Sequence, residues 1–133
     1  GLVLLVLPPG EQHCLGAMLA AYQLRRVGVS VKLAMLPTVA ALGPLLLGKV
    51  YDGILLSVSN DVSVPVCEDL VREIRGRGFA STPVILGGSA ARRAETDAEL
   101  ARQIARTGVD LATSCLEMAL KSCRMERMPV AAE

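Results

Sequence analysis

A chain of 133 residues is long enough for one domain around a single buried core. It is 52% hydrophobic but has no Trp, one Phe and two Tyr, so that core is aliphatic, a composition suited to buried parallel strands covered by helices. Fourteen basic against thirteen acidic residues leave a net charge of +1, which with no basic-aromatic patch argues against direct binding to nucleic acid or to a membrane surface. The apolar runs are far shorter than a bilayer requires, and the first lacks a basic flank and a cleavage site, so a soluble, cytoplasmic protein is expected. Cys14, Cys67, Cys115 and Cys123 form no CxxC pair, which points to neither a zinc site nor a disulfide framework.

In chain order, strand and helix patterns alternate five times. Leu2 to Leu7 is an unbroken apolar run closed by Pro8-Pro9-Gly10, the pattern of a central strand buried on both faces. Leu15, Met18, Leu19 and Tyr22 then fall at i, i+3, i+4 and i+7, one stripe of a helix that ends near Gly28. Residues 29–36 predict a second strand, in which Val31, Leu33 and Met35 alternate with Ser30, Lys32 and Ala34 as expected nearer a sheet edge. Thr38 is placed to cap a second helix, which Gly43-Pro44 interrupts, leaving a short or kinked element. Residues 51–58 predict the third strand, and Cys67, Leu70, Val71 and Ile74 the core stripe of the helix after it, stopped by Gly76 and Gly78.

Residues 83–86 predict a fourth strand running into Gly87-Gly88-Ser89-Ala90. Ala98, Ala101 and Ile104, with Leu100 beside them, mark a fourth helix ending at Gly108. A short fifth strand at 109–112 and a last helix striped by Leu116, Ala119, Leu120 and Cys123 complete the domain, taken as residues 1–128 with a frayed tail after Met128. Short connections between five strand–helix units imply a doubly wound, flavodoxin-like (Rossmann-like) α/β fold: a parallel sheet of order 2-1-3-4-5 with helices on both faces. Ligands of such sheets sit beyond the carboxyl ends of the strands where the order reverses, here at the loops after Leu7 and Leu56.

Those loops hold the residues with the most chemistry. His13 is the only histidine; a neutral imidazole is a good axial metal ligand, and a carboxylate two residues before it can accept the proton of its other ring nitrogen. Gly16 permits close approach to the backbone at the helix start. Each feature also has a plainer reading. A lone loop histidine is ordinarily a solvated side chain, Ser57 and Ser59 could satisfy backbone groups where a strand ends, and Gly87-Gly88 could be only a turn. Cys14 could be a second ligand, a redox sensor or a small buried hydrophobe, whereas Cys67 and Cys123 sit on core stripes. The arginine pairs Arg25-Arg26 and Arg92-Arg93 and the arginines from Arg72 to Arg77 read as solvated helix faces or a partner surface.

Glu11-x-His13-x-x-Gly16, then forty residues, Ser57-x-Ser59, twenty-seven residues and Gly87-Gly88, together resemble the cobalamin-binding domain superfamily across nearly the whole chain. The resemblance implies His13 as the lower cobalt ligand in place of dimethylbenzimidazole, with Glu11 holding that histidine. It implies Ser57 and Ser59 beside the buried nucleotide tail, with Gly87 and Gly88 leaving room for the tail and its phosphate. Two positions depart from the family pattern: Glu11 stands where Asp is common, and Ser59 ends the serine step.

The chain is also similar to the variant found in antirepressors of photosynthesis genes in purple bacteria, the AppA and AerR/PpaA group. That resemblance implies a domain sensing light or redox state through cobalamin or haem, with His13 as metal ligand and a transcriptional repressor protein as partner. With no barrel or helical cap in the chain, sensing is expected rather than catalysis. A corrinoid-carrying module of a methyltransferase or mutase, and a ligand-free interaction domain, are the other readings. A receiver would need an acidic cluster after the first strand and an Asp ending the third, where this chain has Pro8-Pro9 and Ser57. The start at a strand suggests a piece of a longer regulator.

Overall fold

The computed structural model describes residues 1–125. Five parallel strands form one sheet: β1 (Leu2–Leu7), β2 (Ser30–Met35), β3 (Gly53–Ser57), β4 (Val84–Gly87) and β5 (Leu111–Ala112), in the order β2-β1-β3-β4-β5. This is the predicted doubly wound topology, with each strand beginning or ending within two residues of its expected limits. β1 is central because every residue from Val3 to Leu7 is apolar, and all five are buried.

Six helices cover the two faces: α1 (Leu15–Arg26), α2 (Leu42–Leu46), α3 (Val64–Gly76), α4 (Ser89–Ala94), α5 (Ala98–Arg106) and α6 (Leu116–Ser122). Helices α2 to α5 pack on one face, where Leu4, Val6, Ile54, Leu56, Val84 and Leu86 meet Leu42, Leu70, Ile74, Leu100 and Ile104. Helices α1 and α6 share the other, over Val3, Leu5, Leu7, Leu55 and Ile85. The stripe of α3 lies in the core as its spacing predicts, and Pro65 and a positive φ at Gly78 set the limits of that helix.

Four expectations need correction. The large apolar stripe of α1 faces outward, at 78% exposure for Leu15, 54% for Met18, 55% for Leu19 and 57% for Tyr22, while Ala17, Ala21 and Leu24 pack on the sheet. The short element expected around Gly43-Pro44 is present, as a 3-10 turn at Val39–Ala41 leading into the five-residue α2, but Pro44 does not interrupt that helix: it lies in the first turn, where no helical N–H is needed. The chain turns into a separate short helix, α4, directly after Gly88. In α5 the buried residues are Leu100 and Ile104, with Ala98 and Ala101 exposed, after Asp97 caps its start by accepting from Leu100 N at 3.1 Å. The tail expected to fray after Met128 lies outside the described residues.

Candidate functional site

The carboxyl ends of β1 and β3 meet at the reversal of strand order, and two adjacent structures are built there. One is a buried carboxylate with a histidine above it. After β1, the turn Pro8 to Glu11 closes with Glu11 N donating to Pro8 O at 3.0 Å, and Gly10 supplies the positive φ of 86° it requires. The Glu11 side chain is thereby carried beneath the loop that follows β3 and is wholly buried. Its carboxylate accepts from Ser59 N at 3.1 Å, from Asn60 N at 3.4 Å and from the Ser59 hydroxyl. Burial alone would raise its pKa, but these bonds outweigh burial and hold it below the ordinary carboxyl value, so Glu11 is an anion at neutral pH. The Ser63 hydroxyl adds to that lowering from beyond hydrogen-bond geometry: Ser63 Oγ is buried with no partner.

His13 stands over this anion with Nδ1 3.8 Å from Glu11 Oε1 and a side chain 74% exposed. A carboxylate beside Nδ1 favours the proton on that nitrogen and leaves Nε2 as the available lone pair. The loop that binds Glu11 is gripped from its other side by α4. Arg93 donates to Ser59 O at 2.6 Å and to Asp61 Oδ1, and Ser89 Oγ donates to Ser59 O at 3.3 Å. Arg93, expected on a solvated helix face or partner surface, is instead tied to this loop, and neither its role nor that of Ser89 was legible, since the chain path that brings α4 against residues 59–61 is a tertiary fact. Cys67 lies below, its thiol pushed up to about 12 by burial and by the Glu11 charge, and burial likewise raises Cys123 to about 11. Both are core thiols, as expected.

The second structure is a narrow slot of about 230 Å³ between α1 and α6. Leu5, Leu55 and Ile85 form its floor, Gly16, Leu19, Ala20 and Gln23 one wall, and Leu116 and Ala119 the other. Ser57, Gly87, Gly88 and the loop Thr113–Ser114–Cys115 surround its mouth. The slot exists because α1 presents Gly16 and Ala20 to it and α6 presents Ala119, side chains too small to close the gap between two helices.

The predicted site residues therefore divide. Glu11, His13 and Ser59 form the carboxylate–histidine group, and Gly16, Ser57, Gly87 and Gly88 line the slot. Ser59 is turned onto Glu11 and does not line the slot, whereas Ser57 does. The glycines also differ in purpose. A Cβ on Gly16 would meet no atom within 4 Å and on Gly87 only Thr113 O at 3.3 Å, so a side chain at Gly16 would enter open space. A Cβ on Gly88 would lie 2.5 Å from Val58 O, and φ there is 97°, so this glycine serves the backbone packing of β4 against the β3 loop. The residues that sequence reasoning missed are Thr113 to Cys115 and the α1 positions Ala20 and Gln23. Their available signal was position alone, at the fifth loop of the same sheet edge and one and two helical turns beyond Gly16.

Among the described residues no three His, Cys, Asp or Glu side chains cluster to hold a metal ion, and no helix is long and apolar enough to cross a membrane.

No protein-family model matches the chain. It is 37% identical over 119 residues to an uncharacterized 20.5 kDa protein in the bchF-crtJ intergenic region of Rhodobacter capsulatus, a match that takes in 89% of this chain and 58% of that relative's length. Among solved structures it superposes on a cobalamin-binding protein from Desulfitobacterium hafniense with a TM-score of 0.73 at 16% identity, over 93% of this chain and 58% of the other. It superposes on the chemotaxis protein CheY4 of Vibrio cholerae with a TM-score of 0.60 at 17% identity, over 92% and 95%. These superpositions show the flavodoxin-like fold, shared by corrinoid-binding and receiver proteins alike.

Proposed function

We propose that this domain binds cobalamin, with the nucleotide tail in the slot between α1 and α6 and His13 as the axial ligand of the metal. The observation that carries this reading is the pairing of an exposed imidazole, seated on a buried and ionised Glu11, with an apolar slot that opens beside it. A single imidazole cannot hold a bare metal ion, so the metal would have to arrive with its remaining ligands, as in a corrin or a haem. The slot separates the two. A flat macrocycle alone leaves it unfilled, whereas a cofactor with a pendant nucleotide has a part to place there. The fit is physical: Gly16, Ala20 and Gly87 keep the slot open, and the Ser57 hydroxyl offers a polar contact at its mouth.

The chain's residues hold and orient. Glu11 keeps the Nδ1 proton in place and aims Nε2 outward, and the loop at residues 59–61 holds Glu11. A bound corrinoid would supply a metal–ligand bond that light or reduction alters. We read the domain as a non-enzymatic, light- or redox-responsive sensor within a transcriptional antirepressor whose partner is a repressor protein. Support comes from the similarity to a relative in a photosynthesis-gene region and to a cobalamin-binding protein. Loss of the His13 bond would release the segment from Pro8 to Gly16, whose backbone is closed on itself before α1 by the Glu11 N–Pro8 O turn.

An absorption titration of the wild type and His13→Ala with hydroxocobalamin, and separately with haemin, tests the reading. A cobalamin spectrum shifted by histidine and lost in the variant supports it. A histidine-dependent Soret band with no cobalamin binding replaces cobalamin by haem, and binding of neither leaves an interaction domain. Hydrogen exchange over residues 8–20 should slow on adding hydroxocobalamin, and equal protection would remove the switch.

A further inference from the structure

Helix α1 is inside out. At about 100° per residue, buried Ala17, Ala21 and Leu24 set the direction of the core, Leu15, Leu19 and Tyr22 project away from it, and Met18 lies on the flank. Apart from Leu24 near its end, small side chains therefore attach the helix to the sheet while large ones meet water. On the edge strand β2, Leu33 and Met35 pair with Leu5 and Leu7 and so share the face that α1 covers, yet they are 37% and 64% exposed. Arg25, two helical turns after Met18, donates to Val31 O at 3.2 Å, which ties that flank of α1 to β2. Met18, Tyr22, Leu33 and Met35 thus form one apolar area at the open edge of the sheet, on the far flank of α1 from the slot. A cofactor in the slot accounts for Leu19 but leaves these four uncovered.

The end of α1 that borders this area is basic. Between Glu11 and Asp52 the sequence has no acidic residue, and it carries Arg25, Arg26, Lys32 and Lys49. Arg25 and Arg26 are exposed at the end of α1, with the Arg26 guanidinium 5.9 Å from the centre of the Tyr22 ring, whereas Lys32 pairs with Leu4 and so projects from the other face of β2. In a chain of net charge +1, two adjacent arginines border the apolar area. An apolar centre with a charged rim is the composition of a docking site.

We infer that this surface docks an acidic amphipathic helix of a partner protein, an inference that goes beyond the cofactor reading and does not depend on it. The i, i+3, i+7 spacing of Leu15, Met18 and Tyr22 makes a ridge about 10 Å long, which fits the groove of a second helix of about three turns. Glu or Asp flanking the partner's apolar stripe would meet Arg25 and Arg26. A second copy of the chain fits poorly. In a two-fold contact the same patch meets itself, setting arginines near arginines with no acid between them.

Two helical peptides with the same apolar residues, one flanked by Glu and one by Lys, would be titrated into the isotope-labelled protein at low salt. The acidic peptide should shift the amides of residues 15–26 and 30–35 and saturate in the micromolar range, with the lysine peptide at least about tenfold weaker. Met18→Glu with Tyr22→Glu should weaken the acidic peptide at least about tenfold while leaving the thermal midpoint and the hydroxocobalamin titration as in wild type. Equal binding of both peptides, no shifts, or shifts confined to the slot would overturn the inference. So would a dimer in sedimentation that the double variant abolishes, which assigns the surface to a second copy. Binding to phosphatidylserine vesicles lost in the variant, with no binding of the acidic peptide, would assign it to a membrane and overturn it equally.

Discussion

The two faces of the sheet are covered by helices whose sequences share a periodicity and whose packing is opposite. Helix α3 places Cys67, Leu70, Val71 and Ile74 at i, i+3, i+4 and i+7, and all four are buried. Helix α1 places Leu15, Met18, Leu19 and Tyr22 at the same intervals, and all four are exposed. The α3 face fills its space with branched side chains. The α1 face uses alanines, forgoes apolar burial, and is left with a slot on one flank and an uncovered apolar area on the other. The difference teaches that hydrophobic period identifies a helix, whereas the phase of its stripe relative to the core depends on what the face is for.

The contrast breaks most sharply under truncation. Ile74→Ala should cost about 3 kcal/mol of stability, read as a lowered urea midpoint with an unchanged slope, because a fully buried side chain leaves a cavity in a filled layer. Met18→Ala, at the matching kind of position on α1, should stay within about 0.5 kcal/mol of wild type. Near-equal losses would mean that the α1 stripe is covered in solution.

The glycines sharpen the same comparison on the slot side. Gly88→Ala should cost about 2 kcal/mol or more, since its Cβ meets Val58 O at 2.5 Å with φ at 97°. Gly16→Leu should leave the urea midpoint within about 0.5 kcal/mol of wild type, because the new side chain enters open space. The same change should weaken hydroxocobalamin by about a hundredfold, equal to about 2.7 kcal/mol. Unaltered cofactor affinity in Gly16→Leu would place the nucleotide tail elsewhere.

Glu11 belongs to neither packed face, and its stabilisation follows pH. Its carboxyl titrates below the ordinary value of 4.5 when folded, so its contribution is complete above that value and is lost as pH falls through the folded pKa. Glu11→Gln should therefore be less stable by about 1–2 kcal/mol at neutral pH, with the gap to wild type closing in urea titrations carried out below about pH 4.5. A gap independent of pH would mean that shape, not charge, holds the loop at residues 59–61.

Much of this molecule was legible beforehand. The strand order followed from apolar runs and short connections, and the seven candidate residues do gather at the predicted edge of the sheet. What was not legible shares a physical cause. A stripe of large apolar residues is the usual sign of a buried face, and nothing local distinguishes Ala17 and Ala21 as the true contact. A six-residue helix such as α4 is too short to display a period. The partner of Ser59 depends on the reach of Glu11, whose extra methylene relative to Asp carries its carboxylate to the Ser59 hydroxyl. The α6 wall of the slot is a tertiary neighbour of Gly16, about a hundred residues away in sequence.

The smallest expected effect concerns the grip of α4 on that loop. The Arg93 ion pair with Asp61 is half exposed, and such pairs are worth about 0–1 kcal/mol, so Arg93→Ala should barely move the urea midpoint. Arg93 also donates to Ser59 O, however, on the same peptide group as the Asn60 N–H that binds Glu11 and next to the one that carries the Ser59 N–H. Its loss should act locally, speeding hydrogen exchange at the Ser59 and Asn60 amides and weakening hydroxocobalamin a few-fold through a less firmly held Glu11. Arg93→Lys, which keeps one donor to Ser59 O, should recover part of both effects. Unchanged exchange at those two amides in Arg93→Ala would mean that Glu11 fixes the loop unaided, and that the filled face contributes to the histidine only through its packing.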